Sequence, residues 1–187
     1  MNEVQNAILS RRSTRGYTDE QLTDTELQAL IDAALASPTA RNMQTWHFSV
    51  VQDQAILDEL NADLGRIIRA GKPEGSRGRF EESNYHVFYH APTVIFISAP
   101  IVTPNRFAQV DAGIAAENIA LSAQGMGLHS VIIGMVMDVF LSEKEAYYNE
   151  KLAIPEGWRF AIAVAVGHGN TTKGPHPIGE DKVSFIR

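Results

Sequence analysis

The segment at residues 108–124 constrains the fold most, because a helix over these residues has apolar side chains on almost every side. A helix with this pattern is expected to be buried all round. Many of its residues are small enough to let another backbone approach closely: Ala112, Gly113, Ala115, Ala116, Ala120 and Ala123. We therefore predict a central helix that packs against a sheet, against neighbouring helices or against a second subunit.

The composition predicts a single domain over residues 1–187, since 44% of the residues are hydrophobic and 20% are charged. A formal net charge of −6 disfavours nucleic acid as a partner, because a phosphate backbone requires a broad basic face. The chain has no cysteine, which excludes disulfides, thiolate metal sites and a cysteine nucleophile. No apolar run reaches the ~20 residues of a membrane span, and residues 1–10 do not resemble a secretory signal. We therefore expect a cytoplasmic protein without a membrane partner.

Hydrophobic periodicity predicts an α+β fold in which helices flank a central mixed or mostly antiparallel sheet. Two Ser/Thr-x-x-Glu patterns, Thr23 to Glu26 and Ser142 to Glu145, are expected to be capping boxes that start helices. The segment at 70–79 has three Gly and one Pro and is expected to be a loop. The predicted helices are 3–13, 24–37, 55–68, 108–124 and 142–152, and the predicted strands are 46–52, 93–99, 131–136 and 160–166.

The positive charges of the chain are most unevenly distributed near its start, where three arginines lie within five residues: Arg11, Arg12 and Arg15, with Ser13 and Thr14 between them. Guanidinium forks and hydroxyls suit a phosphate group, because both form charge-assisted hydrogen bonds. The alternative is that these cations complement the end of a short helix and are solvated. The polar connection at 37–46 also leaves two interpretations open. Its side chains could form hydrogen bonds to the edge of a heterocyclic ligand, or they could stabilise the turn itself.

Other site motifs are weak. The chain has no Gly-x-x-x-x-Gly-Lys-Ser/Thr sequence, and Gly125 and Gly127 follow a predicted helix rather than a strand, unlike a dinucleotide fingerprint. His86 and His90 have a spacing that could present two imidazoles to one metal on a helix, but they run directly into a strand. We therefore predict no metal site and no hydrolytic triad.

Together these segments resemble the nitroreductase family of FMN-dependent oxidoreductases, and the resemblance covers nearly the whole chain. The residues that carry it are the blocks 11–17 (RRSTRGY), 37–46 (SPTARNMQTW), 88–92 (FYHAP), 111–118 (DAGIAAEN) and 127–134 (GLHSVIIG). The resemblance implies a homodimer with interlocked subunits and one FMN in each of two clefts at the interface.

Candidate FMN-binding residues follow from the resemblance by position. The phosphate and ribityl segment corresponds to Arg11, Arg12, Ser13 and Arg15. A loop that meets the flavin, usually from the partner subunit, corresponds to Pro38, Thr39, Ala40, Asn42 and Gln44. Contacts to the ring correspond to Asn84 and to the strand residues Ile132, Ile133 and Gly134, and a C-terminal basic pair corresponds to Lys173 and His176. The chain departs from the family at Thr45, where Pro is usual, and at His129, where Gly is common.

The resemblance also implies the activity. It indicates an FMN-dependent enzyme that uses NADH or NADPH and reduces nitroaromatics, quinones or similar electron-poor acceptors by a ping-pong mechanism. The cofactor carries the hydride chemistry, so the protein mainly positions it, and Arg15 is the cation expected near the ring. Two alternatives stay open: a specialised flavin reaction such as reductive dehalogenation or flavin destruction, and a flavin-binding electron carrier without turnover.

Overall fold

The computed structural model describes residues 2–171, 173–175 and 177–187. The secondary structure within these ranges alternates irregularly along the chain. In order, the elements are α1 (Glu3–Ser10), α2 (Asp24–Leu35), a 3₁₀ turn (Ala40–Asn42), β1 (His47–Val51), α3 (Gln54–Gly71), a second 3₁₀ turn (Gly78–Glu81), β2 (Thr93–Pro100), α4 (Ala108–Gly125), β3 (His129–Ile133), α5 (Met137–Phe140), α6 (Glu145–Lys151) and β4 (Trp158–Gly167).

The strands of the described residues form one antiparallel sheet in the order β1-β2-β4-β3. All residues of the inner strand β2 except Pro100 are buried, and the inner strand β4 is buried at Phe160 and over residues 163–167, as expected for apolar runs covered on both faces. β1 and β3 lie at the edges. The predicted α+β class is thus confirmed, and the sheet is antiparallel in every pairing.

Helices cover both faces of this sheet. Alternate residues of β2 point to opposite sides, so that Val94 and Phe96 join one hydrophobic cluster while Ile95 and Ile97 join another. The first cluster lies under α3, α5 and α6, and the second lies under α2 and α4. The result is a three-layer arrangement in which the sheet is the middle layer.

The two predicted capping boxes have different outcomes. Thr23 caps α2 as predicted: its hydroxyl accepts from Glu26 N at 3.3 Å, and Glu26 Oε2 accepts from Thr23 N at 2.8 Å. The hydrogen bonds that the Glu26 carboxylate accepts from Thr23 N and Thr23 Oγ1 lower the pKa of Glu26. The capping box at Ser142 is wrong. Its hydroxyl instead donates to the Val139 carbonyl at 2.7 Å, because the unpredicted helix α5 ends just before it.

The boundaries near residue 134 also differ from the prediction. The predicted strand 131–136 is observed as β3 at His129–Ile133, and the chain then turns into α5 through a hydrogen bond from Met137 N to Gly134 O at 3.0 Å. The predicted loop 70–79 begins with the last turn of α3, which ends at Gly71. An apolar run alone does not distinguish a strand from a strand followed by a short helix.

Helix α4 is buried on one side rather than all round. The small residues Ala112, Ala115, Ala116 and Ala123 pack into the chain's own core with Ile119. Along the opposite side, Phe107 and Val110 are 56% and 57% exposed, and a Cβ added at Gly113 would meet nothing within 4 Å. The expectation of complete burial is therefore wrong for a single chain, and this outer stripe remains available to a partner.

Among the described residues, no helix combines the length and the apolar character needed to cross a membrane.

Candidate functional site

The arginine segment, residues 11–15, leaves α1 and runs beside the edge strand β3. Thr14 N donates to Ser130 O at 3.0 Å, which forms a parallel bridge at the start of β3. Further along, Thr18 N donates to His168 O at 2.9 Å, just beyond the end of β4. These backbone hydrogen bonds fix the arginine segment at one corner of the sheet.

The three arginines of this segment have different partners. Arg11 Nε lies 3.4 Å from Glu117 Oε1, yet it is buried and has no hydrogen-bond partner among the described residues. Arg12 Nη1 donates to the carbonyls of Leu9 and Arg11 at 2.8 and 2.7 Å. Arg12 thus complements the end of α1, which was the alternative left open by the sequence, while Arg11 keeps a buried donor for another group.

Arg15 lines a cavity of about 260 Å³ that we call the tyrosine cavity. Its walls come from the arginine segment, from residues 79–90 and from Asn170. The structure therefore brings Arg15 and Asn84, two of the candidate site residues, to the same cavity. Its lining also includes Gly16, Tyr17, Arg79, Glu82, Tyr85, His86, Tyr89 and His90.

Arg12 and Lys173 line a smaller cavity of about 120 Å³ with Thr14 and His129. His129, one of the departures from the family pattern, accepts a hydrogen bond from Gly169 N through Nδ1 at 3.2 Å. A Cβ on Gly169 would lie 2.5 Å from the His129 ring, so a glycine is required there. The other member of the expected basic pair, His176, lies outside the described residues.

The free edge of β3 carries the remaining strand candidates. Ser130 turns its carbonyl away from β4 and toward Thr14. Because backbone groups alternate between the two sides of a strand, the N–H and C=O of Ile132 face the same outer edge. Ile132 is half-buried, Ile133 is buried and Gly134 is exposed. The strand can therefore offer backbone donors and acceptors to a flat ligand lying beside the arginine segment.

The polar loop, residues 38–44, does not lie beside the arginine segment. It leads into β1, at the opposite edge of the sheet from β3. Its backbone is unusual, because Arg41, Asn42 and Gln44 have φ values of 55°, 53° and 50°. Candidates in this loop include the exposed Pro38 and the half-buried Thr39 and Ala40. Neither the tyrosine cavity nor the smaller cavity with Arg12 and Lys173 is lined by a residue of this loop.

A buried polar network holds the polar loop to α4. The Asp111 carboxylate accepts from Ala40 N at 3.2 Å and from Asn105 Nδ2 at 2.7 Å. Asn105 Nδ2 also donates to Thr45 Oγ1 at 2.6 Å. Thr45 thus joins the anchor of the loop at the position where the family usually has Pro. The sequence did not single out Asp111 or Asn105 for this role.

An aromatic wall of the tyrosine cavity was also missed at the sequence level. Tyr89 and His90 have φ values of 55° and 57°, and Arg79 stacks on Tyr85 with its Cζ 4.6 Å from the ring centroid. Burial raises the pKa of Tyr85, so its hydroxyl stays neutral. Only the family block 88–92 marked this region, because left-handed backbone at Tyr or His has no signature in residue type.

The imidazole rings of His86 and His90 lie side by side, with their planes tilted by 32°. Their ring centroids are 4.5 Å apart. His86 Nδ1 accepts from Phe88 N at 3.3 Å, which leaves Nε2 to donate to Asp58 Oδ1 at 3.1 Å. Burial, with the neighbouring His90, lowers the pKa of His86. Within the described residues, no group of three or more His, Asp or Glu side chains is arranged to hold a metal ion.

Comparison with known proteins gives a consistent result. The sequence profile of the nitroreductase family matches residues 8–168. A crystal structure of a nitroreductase with bound FMN from Desulfitobacterium hafniense is similar over 100% of both chains, with 32% identity and a TM-score of 0.91. An NADPH-flavin oxidoreductase of Vibrio harveyi is 29% identical over 90% of this chain and 66% of its own length. A 4-nitrobenzoate reductase of a Nocardioides species is 26% identical over 93% of this chain and 82% of its own length.

Proposed function

The chain belongs to the nitroreductase family, and from that premise we propose that it reduces nitroaromatics, quinones or similar electron-poor acceptors with NADH or NADPH as the reductant. Its enzyme class is that of an NAD(P)H-dependent flavin oxidoreductase, and its cofactor is FMN. When bound, FMN supplies the hydride transfer in a ping-pong cycle, so the protein needs no catalytic triad. The protein's contribution is binding, orientation and electrostatics.

The observation that carries this proposal is the buried Arg11 Nε, which lies 3.4 Å from Glu117 Oε1 but makes no hydrogen bond among the described residues. A buried donor that makes no hydrogen bond is costly, and a phosphate oxygen would supply a charge-assisted hydrogen bond. Ser13 is adjacent and half-buried, and Lys173 lies with Arg12 at the neighbouring cavity. These residues fit the phosphate end of FMN.

The other end of the cofactor fits the tyrosine cavity and the edge of β3. Arg15 and Asn84 supply a cation and an amide at that cavity. The outward backbone groups of Ile132 supply a donor and an acceptor that can recognise the edge of a heterocycle. Arg15 would place positive charge near the ring, which favours electron-rich states of a bound ligand.

We also propose that the functional unit is a homodimer. The outer stripe of α4, with Phe107, Val110 and Gly113, is apolar and uncovered in the single chain. The C-terminal residues add further exposed apolar side chains: Ile178, Val183, Phe185 and Ile186. Exposed apolar surface of this extent is typical of an interface. A two-fold contact would let the polar loop of one subunit reach the flavin held by the arginine segment of its partner.

The test begins with the visible spectrum of the purified protein and the mass of the chromophore released on denaturation. We expect a yellow protein carrying FMN. The oxidation of NADH and NADPH is then measured with and without a quinone or 4-nitrobenzoate. Acceptor-dependent turnover supports the enzyme, whereas bound FMN without turnover identifies an electron carrier. A colourless protein that takes up no FMN on titration contradicts the proposal.

A further inference from the structure

Tyr89 contacts Arg15 both through its hydroxyl and through its ring. The hydroxyl accepts a hydrogen bond from Arg15 Nε at 3.3 Å, and the ring centroid lies 5.8 Å from Arg15 Cζ. Arg15 Nη1 also donates to the Ser13 carbonyl at 3.2 Å. A guanidinium has five N–H donors in a planar fork, so these contacts fix its plane and leave further donors for a ligand in the tyrosine cavity.

The backbone that presents Tyr89 is strained. Tyr89 and His90 are consecutive residues in the left-handed region, at φ 55° and 57°, which is unfavourable for residues other than glycine. Their conformation is enforced by hydrogen bonds from Tyr89 N to His86 O at 2.9 Å and from Ala91 N to Phe88 O at 3.0 Å. Phe88 and Ala91 are fully buried. Strain of this kind persists where the surroundings over-determine it, and it concentrates at functional sites.

The position of the Tyr89 ring does not depend on Arg15 alone. Arg79 Cζ lies 5.4 Å from the Tyr89 centroid, and the Tyr85 ring meets Tyr89 edge-on at a centroid distance of 5.9 Å. Tyr85 is itself packed edge-on against Phe80 at 4.8 Å. Tyr89 is therefore a fixed support, whereas Arg15 is an exposed side chain that needs one.

We propose that Tyr89 is a positioning residue that orients the Arg15 guanidinium toward the ring system of the flavin. The inference rests on the proposed function, since it requires a flavin at the tyrosine cavity. It assigns to the strained turn at 88–91 a role in addition to the packing of Phe88 and Ala91. Because Arg15 serves the ring rather than the phosphate, Tyr89 should affect FMN and riboflavin equally.

A double-mutant cycle tests this coupling by measuring the dissociation constants of FMN and riboflavin from the quenching of flavin fluorescence. We expect Y89F to raise both constants by about three- to tenfold, as for one lost hydrogen bond, and R15A to raise both by at least as much. In the R15A background, adding Y89F should have no further effect, because the Tyr89 hydroxyl is proposed to act on the flavin through Arg15 and that contact has been removed. Y147F is the matched control, since Tyr147 bonds Glu59 and Lys151 on the exposed surface of α6.

The outcomes separate the inference from the proposed function. If Y89F leaves flavin affinity unchanged, or weakens it equally with and without Arg15, Tyr89 does not act through Arg15 and the inference is overturned. If R15A has no effect on flavins that the unmodified protein binds, the inference is overturned as well. An unmodified protein that binds no flavin contradicts the proposed function itself. Urea unfolding of each variant identifies any loss of affinity that is due to loss of the fold.

Discussion

Replacing Asp111 with alanine should release the polar loop from α4 while leaving the sheet intact. Asp111 is 3% exposed, and its carboxylate is the acceptor for Ala40 N at 3.2 Å and Asn105 Nδ2 at 2.7 Å. Alanine removes both acceptor oxygens. Each buried donor left without a partner costs about 1–3 kcal/mol, which gives roughly 2–6 kcal/mol for the pair.

The expected loss is smaller than that sum, for two structural reasons. Ala40 is only half-buried, so its N–H can bind water once the loop moves. Asn105 is 4% exposed, but its Nδ2 keeps the Thr45 hydroxyl at 2.6 Å as a partner for one of its hydrogens. We therefore expect D111A to lower the free energy of unfolding by about 2–4 kcal/mol. D111N keeps one acceptor oxygen and should lose about half as much.

Urea unfolding measures the global effect, and hydrogen exchange at the Ala40 amide measures the local release of the loop. If the polar loop contacts FMN across a dimer interface, D111A should also weaken FMN binding. D19A serves as the control, because Asp19 is exposed. An unfolding free energy within about 0.5 kcal/mol of the unmodified protein, together with a protected Ala40 amide, would refute this account of the anchor.

The remaining predictions address the phosphate site, the interface, a helix end and pH. R11A should raise the Kd of FMN by about 10- to 100-fold through the loss of a charge-assisted hydrogen bond, and equal weakening of riboflavin would contradict this assignment. G113R should yield a monomer without FMN on size exclusion, because the arginine side chain has open space in one chain but not in a two-fold contact. A monomer with stoichiometric FMN would show that the FMN site is not shared between subunits. Ala153 has φ 51° at the end of α6, so A153G should stabilise the fold by about 0.5–1 kcal/mol in urea unfolding, whereas a destabilised variant would contradict the strain. Burial lowers the pKa of His86, so as the pH falls the unfolded chain protonates this imidazole before the folded chain does, and folding stability is lost below about pH 6.5. H86Q should reduce the loss of unfolding free energy between pH 7.5 and 5.5, and an unchanged loss would exclude His86 as its source.

The sequence predicted the elements whose periodicity is strong and whose surroundings are uniform. β2 is apolar over residues 94–97 and β4 over residues 160–166 because helices cover both faces of the sheet there, and α2 has a capping box whose partners are three residues apart. The prediction from the sequence failed where a tertiary contact competes with a local hydrogen bond for the same side chain. Glu145 was expected to cap its own helix, but its carboxylate instead accepts from Arg159 Nε on β4 at 2.6 Å.

The candidate site was predictable as a set of residue types but not as a geometry. Arg11, Arg12 and Arg15 are adjacent in the chain, yet their partners are Glu117, the end of α1 and Tyr89. Those contacts depend on the packing of α4 and of the turn at 88–91 against the arginine segment. The side of α4 that faces the core was equally unpredictable, because small apolar residues on all sides provide no amphipathic signal.

The place of β4 within the sheet has a consequence for synthesis on the ribosome. β4 is the latest strand in the chain and lies between β2 and β3, so neither of those strands gains its inner neighbour until Trp158–Gly167 has emerged. Roughly 60 residues separate the end of β2 from the start of β4, an interval of about 3–12 s at ordinary translation rates. During that interval the backbone N–H and C=O groups on the β4-facing edge of β2 have no partner strand. Chaperones bind exposed apolar edges of this kind and prevent their aggregation. A nascent chain stalled before Trp158 should therefore be a strong chaperone client, and one stalled well beyond Gly167 should not.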